Sequence, residues 1–170
     1  MPIIEGSGLG TPVQNAGAPV AGTNEVQTLT IGGTPTGGTF VLGYEGLSTS
    51  AIPWSNVNAT LLASITTALN AHPSLGTSAV VATAGTLTAG IGTILLTFSG
   101  APVAGKAVAT MTVVDNSLTG TSPTLAIAET TPGVNATGRG APKGALLVDT
   151  NAGTLYQNTG TAASPTWTSR

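Results

Sequence analysis

Polar and apolar residues alternate from Glu25 to Ile31. Val26, Thr28 and Thr30 take one side of an extended chain, and Gln27, Leu29 and Ile31 take the other. This is the period of a half-buried strand. Gly38 to Tyr44 forms a second run of β-formers, and Gly32-Gly33-Thr34-Pro35-Thr36-Gly37-Gly38 between them has the loop chemistry of a hairpin turn. Residues 91–114 repeat the plan. Laying Leu29-Thr30 on Leu96-Thr97 brings Gly33 onto Gly100, Pro35 onto Pro102, Gly38 onto Gly105 and Val41 onto Val108. Two similar hairpins facing each other are therefore expected, with further strands over Ala79 to Thr83, Ile91 to Phe98, Ala107 to Val114 and Thr124 to Ala128.

One segment has a different period. In Asn58 to Ala71, Leu61, Ile65 and Leu69 recur every fourth residue with Leu62 beside them, which makes one apolar face of a helix. Asn58 is a reasonable N-cap, and His72-Pro73 followed by Gly76 ends the helix because proline cannot continue the hydrogen-bond ladder. His72 is the only histidine and is expected as a solvated residue near the negative end of the helix dipole.

The ends of the chain read differently from its middle. Gly and Pro interrupt every periodic element over residues 1–24, so this is an extended arm. Its apolar Ile3, Ile4, Leu9 and Val13 are spaced to fill pockets on another surface. Residues 25–130 form the β domain, and residues 131–143, with Pro132, Gly133, Gly138, Gly140 and Pro142, form a linker. Residues 144–170 make a C-terminal hairpin module: two short strands, Ala145 to Asp149 and Thr154 to Asn158, around a tight Asp-Thr-Asn-Ala-Gly turn. So short a hairpin cannot hold a stable core. Its Leu146, Val148, Tyr156 and Trp167 are therefore expected to contact other subunits or another domain. The fold class is mainly β: an antiparallel β-sandwich with one short helix, an extended N-terminal arm and a C-terminal β-hairpin extension.

Composition narrows the chemistry. Only ten of 170 residues are charged, and net charge is −2, against about a quarter charged in an ordinary soluble domain. Lys106, Arg139, Lys143 and Arg170 are dispersed, so no basic footprint for nucleic acid exists. The absence of cysteine removes disulfides, zinc-thiolate sites and thiol nucleophiles. Two Phe, two Tyr and two Trp leave the core to Val, Leu, Ile and Ala. No apolar run approaches a membrane span, and residues 1–10 lack the pattern of a signal peptide, so synthesis and assembly in a cytoplasm are expected, without membrane association.

No catalytic set emerges. The lone histidine has no nucleophile elbow to serve. Glu5, Glu25, Glu45, Asp115, Glu129 and Asp149 are widely separated, so only folding could pair them for glycan hydrolysis. Asp115-Asn116-Ser117 and Asp149-Thr150-Asn151 look like the start of calcium loops but lack the later bidentate acid, which leaves them as turns. The glycine-rich Gly6-Ser7-Gly8-Leu9-Gly10 has neither a preceding strand nor a Lys-Ser/Thr to complete a phosphate loop. The reading is of a non-enzyme without metal or cofactor. Tyr44 and Trp54 are the central aromatic candidates for a sugar-binding face.

Two stretches carry a resemblance. Glu25-Val26-Gln27-Thr28-Leu29-Thr30-Ile31, Gly32 to Gly38, Thr39-Phe40 and the helix beginning Asn58-Ala59-Thr60 resemble a module of tailed-bacteriophage structural proteins, especially capsid decoration (cement) proteins, over residues 17–130. The run from Gly144-Ala145-Leu146-Leu147-Val148-Asp149 to Tyr156-Gln157-Asn158-Thr159-Gly160, closing on Pro165-Thr166-Trp167-Thr168, is similar to a phrase of phage head-fibre and tail-fibre proteins, which are commonly trimers. The resemblance implies a virion component on the capsid surface. It would bind the major capsid protein as a homotrimer and stabilise the head by bridging capsomers. The alternative is a tail or head fibre or spike component that binds the host cell surface.

Overall fold

The computed structural model describes residues 21–136, 141–149, 152–161 and 165–170. The chain is mainly β, with antiparallel sheets and one helix among the described residues. It divides into two compact units, one made of residues 22–135 and the other containing the described residues from Ala136 onward.

The larger unit is built on two long strands, β1 (Val26–Tyr44) and β6 (Thr112–Thr131), paired antiparallel from Val26↔Thr131 to Gly43↔Thr112. The other edge of β1 is shared. Its first half pairs with β5 (Gly92–Phe98), which pairs in turn with β4 (Val80–Ala84). Its second half pairs with the two-residue strands β2 (Leu47–Ser48) and β3 (Ile52–Pro53).

A straight strand as long as β1 would span about 60 Å, yet its ends meet. The Phe98 amide donates to the Glu25 carbonyl at 2.9 Å, while the Phe98 and Tyr44 rings lie 6.5 Å apart. Met111, one residue before β6 begins opposite Gly43, donates its amide to Gln27 Oε1 at 2.8 Å. The β1–β6 ribbon is therefore folded double, and the two halves of one strand serve the two layers of a β-sandwich-like unit. Leu29 and Ile31 from the first half share one core with Phe40, Leu42 and Tyr44 from the second. Because the buried positions pass from odd to even numbers, a register shift must lie between the halves. The ladder is irregular at Gly32/Thr34 and at Pro35/Gly37.

This corrects the hairpin expectation. Gly32 to Gly38 bends a strand without reversing it. Gly33 and Gly38 have φ +73° and +92°, and a Cβ on either would lie 2.1 or 2.2 Å from the Ser122 or Ser117 carbonyl oxygen of β6. No larger residue fits where the two strands bend together. β6 bends at the same place: the Asn116 side-chain amide donates to the carbonyl of Pro123 in its own strand at 3.2 Å. Of the segments 107–114 and 124–128, expected as separate strands, residues 112–114 and 124–128 belong to the single strand β6 while residues 107–111 lie outside any strand, and Asp115-Asn116-Ser117, expected as a turn, is strand. Residues 91–114 do not repeat the plan either, because β5 ends at Phe98 and residues 101–106 form turns.

The helix α1 (Asn58–Asn70) buries Leu61, Ile65, Ala68 and Leu69 against the sheet. Asn58 does not cap it. Val57 occupies the cap position with no side-chain bond, and the Asn58 side chain turns to the β4–β5 loop, where Oδ1 accepts from Gly90 N and Nδ2 donates to Leu87 O, both at 2.9 Å. His72 is not solvated either. It is 2% exposed, its Nδ1 accepts from Ser74 N at 3.3 Å, and its ring stands edge-on to Tyr44 at 6.0 Å. The chain turns inward after α1 because Leu75 and Ala79 are core residues, and they carry His72 beneath the sheet end with them.

In the smaller unit the expected hairpin gains a strand. β7 (Leu146–Asp149) pairs with β8 (Thr154–Asn158), which pairs with β9 (Trp167–Ser169). The turn chemistry at Asp149 is as expected, with Ala152 N donating to Asp149 Oδ1 at 3.1 Å and Gly153 at φ +61°.

Candidate functional site

Two places in the molecule have side chains or backbone arranged beyond what a self-sufficient fold needs. One is a buried polar cluster at the start of β1. Glu25 and Gln27 continue the core-facing row of Leu29 and Ile31 and are 1% and 0% exposed. Glu25 Oε1 accepts from Gln27 Nε2, and Oε2 accepts from Val108 N at 2.6 Å. Gln27 Nε2 also donates to Ala109 O at 3.0 Å, and its Oε1 accepts from Met111 N. With Asn24 Oδ1 accepting from Gly105 N at 2.7 Å, three neighbouring side chains secure the non-strand segment 105–111 that feeds β6. Each buried polar group is partnered within the cluster, the condition under which such groups specify a structure. This set holds the strand crossover and contains no pair of carboxyls.

Above it, burial pushes the Tyr44 phenol above its ordinary value. The charge of Glu45, a hydrogen bond to Glu45 and the charge of Glu25 push the same way. Tyr44 is buried, and Trp54 is half-buried with its Nε1 donating to Gly90 O at 2.9 Å, so neither forms an exposed sugar platform. A groove of about 660 Å³ beside α1 is lined by small uncharged side chains, among them Ser50, Ala51, Pro53, Ala59, Ala63 and Ala71, and offers shape without titratable chemistry. Among the described residues no three His, Cys, Asp or Glu gather as a metal site, and no helix is long and apolar enough to cross a membrane.

The second place is the C-terminal sheet. Antiparallel partners point to the same side, so the register places Leu147, Tyr156 and Trp167 on one face and Leu146, Val148 and Leu155 on the other. The four residues expected at contacts are thus divided between two faces, Leu146 and Val148 on one and Tyr156 and Trp167 on the opposite one. Leu146 and Val148 are 44% and 50% exposed; Tyr156 and Trp167 are half-buried. The only buried residue described in this unit is Asn158. Its Nδ2 donates to the carbonyls of Ala141 and Pro142, and its Oδ1 accepts from Gly160 N and Thr166 N at 2.9 and 2.8 Å. A single amide thereby ties together three stretches of chain in a sheet that has no buried apolar side chain among the described residues. Ile3, Ile4, Leu9 and Val13 of the arm lie outside the described residues.

Sequence reasoning missed Gln27 and Asn158 as organising residues. For Gln27 a signal existed: a polar residue on the apolar side of an alternating strand must find partners. For Asn158 none did. Comparison with known proteins returns no matching family model and no matching curated protein.

Proposed function

We propose that this chain is a structural component of a tailed-bacteriophage virion. In this reading it is a capsid decoration (cement) protein that binds the major capsid protein on the outside of the head, assembles as a homotrimer and bridges capsomers. The observation that carries the reading is the C-terminal sheet, which has apolar side chains on both faces and none of them buried among the described residues. A three-stranded sheet whose apolar side chains are exposed on one face and only half-buried on the other gains stability from whatever covers it, and copies of itself on a capsid lattice would do so. The resemblance of residues 17–130 and 144–168 to phage decoration and fibre proteins supports the same assignment. A surface with few charges suits a protein that packs among copies of a shell rather than one that steers a charged ligand.

The test is electron cryo-microscopy of capsids that lack the chain, before and after adding it. The proposal expects new density at regular lattice positions, together with greater resistance of the capsid to heat. No density on the shell, or density confined to the tail or a single vertex, would replace the cement assignment with the fibre one. Deleting residues 1–20 is expected to weaken capsid binding, because the pockets that Ile3, Ile4, Leu9 and Val13 would fill on the other surface are then left empty. Unchanged binding would remove the arm from the interface.

A further inference from the structure

The two outer edges of the larger sheet are treated differently. On β4 the outward backbone groups are covered by the helix: Val80 N donates to Asn70 Oδ1 at 2.9 Å, Asn70 Nδ2 returns a bond to Val80 O at 3.1 Å, and Ala82 N donates to Thr66 Oγ1 at 3.2 Å. On β6 no described residue provides such cover. β6 pairs with β1 alone among the described strands.

The directions of its backbone groups follow from the ladder. Glu25 O accepts from Phe98 N, so the odd residues of β1 in this half turn their N–H and C=O toward β5 and the even ones turn toward β6. The β6 partners of Thr28, Thr30 and Gly32 are Ala128, Ala126 and Thr124, which therefore face β1. Leu125, Ile127 and Glu129 consequently turn their N–H and C=O groups outward. The carbonyl of Pro123, next in the same outward row, is the one that Asn116 caps. Beyond that cap no described strand pairs with the row, which is free of proline and glycine.

We infer that the edge Leu125–Glu129 is a strand-pairing site for the same edge of a second copy, related by a twofold axis at Ile127. The register is self-complementary: Ile127 meets Ile127, and Leu125 of each copy meets Glu129 of the other, so every outward residue exchanges both bonds. No like charges face each other, because each Glu129 lies opposite a leucine. The outer-face side chains beside this row, Thr124, Ala126, Ala128 and Thr130, are small, uncharged and exposed, and so leave room for approach. Pairing also covers Leu125 and Ile127, which lie half-buried against the core. Natural edges are normally blunted by lysine, proline or a covering element. Here β4 is covered and this stretch of β6 is not. The inference does not depend on the capsid assignment.

Residue-resolved amide hydrogen exchange of the full chain over a dilution series tests it. The amides of Leu125, Ile127 and Glu129 are expected to exchange fast when dilute and to gain protection as concentration rises, while those of Thr124, Ala126 and Ala128 stay protected throughout. The double variant Ala126→Lys, Ala128→Lys places like charges opposite one another across the axis and is expected to abolish that gain. Absence of concentration-dependent protection at the three amides of the unmodified chain overturns the inference even if the variant does not fold. Its persistence in a folded variant overturns it as well.

Discussion

Residues 22–135 and residues 144–170 solve the same problem in opposite ways. The larger unit encloses every buried apolar side chain described, from Leu29 to Met111, under a ribbon folded double and one helix. Among its described residues the smaller unit encloses one asparagine. In the first, removing apolar area from water supplies the stability. In the second, a hydrogen-bonded amide sets the geometry and leaves apolar residues on both faces. The contrast teaches that the C-terminal sheet is shaped before it is stabilised, which suits a segment completed by association.

Variants in the core separate the two most sharply. Phe98→Ala, at a fully buried site beside Tyr44, is expected to destabilise the larger unit by about 3–5 kcal/mol, read as a lower denaturation midpoint in far-ultraviolet circular dichroism. Gln27→Ala is next. It strands Met111 N, Ala109 O and one oxygen of Glu25, and the expected cost is about 3 kcal/mol, measured the same way. Loosened protection of amides 108–111 in hydrogen exchange would show that the polar cluster holds that crossover.

Asn158→Ala probes the other side of the comparison. Four hydrogen bonds of its side chain are lost, at about 1–3 kcal/mol. The expected outcome is loss of the C-terminal sheet with the midpoint of the larger unit unchanged. If that midpoint falls too, the two units are not energetically separate. The smallest effect is at Tyr44. Its folded-state value lies above the ordinary 10.0, so the contribution is fully present below about pH 10 and is lost as pH rises toward the folded value, where the unfolded chain ionises first. Tyr44→Phe is expected to flatten this alkaline loss of stability, measured by denaturation at pH 9 and above.

The β content, the antiparallel pattern and the helix were legible because alternation and fourfold spacing are local signals. Asn58 to Ala71 places Leu61, Ile65 and Leu69 where the helix buries them. The path of the chain was not legible. Gly32 to Gly38 marks a bend, but whether a bend reverses a strand depends on its partner, and the partner of Pro35 is Gly120, far along the chain. The alignment of 29–41 on 96–108 is one of composition: glycine and proline recur in both places, once inside a strand and once in a turn. Burial of His72 was hidden because its surroundings are set by Tyr44, from another element. At the C-terminus, Trp167–Ser169 is too short to show a period, so β9 passed unread, and with it the division of Leu146 and Val148 from Tyr156 and Trp167.

The two tryptophans fall one in each unit, Trp54 beside α1 and Trp167 in β9. Replacing Trp54 by Phe therefore leaves Trp167 as a reporter of the C-terminal sheet alone. The decisive measurement is the denaturant unfolding of this variant, followed by Trp167 fluorescence at several protein concentrations and compared with the circular dichroism of the larger unit. The account predicts that the Trp167 transition comes first and moves to higher denaturant as protein concentration rises. A Trp167 transition that coincides with that of the larger unit and ignores concentration would contradict it.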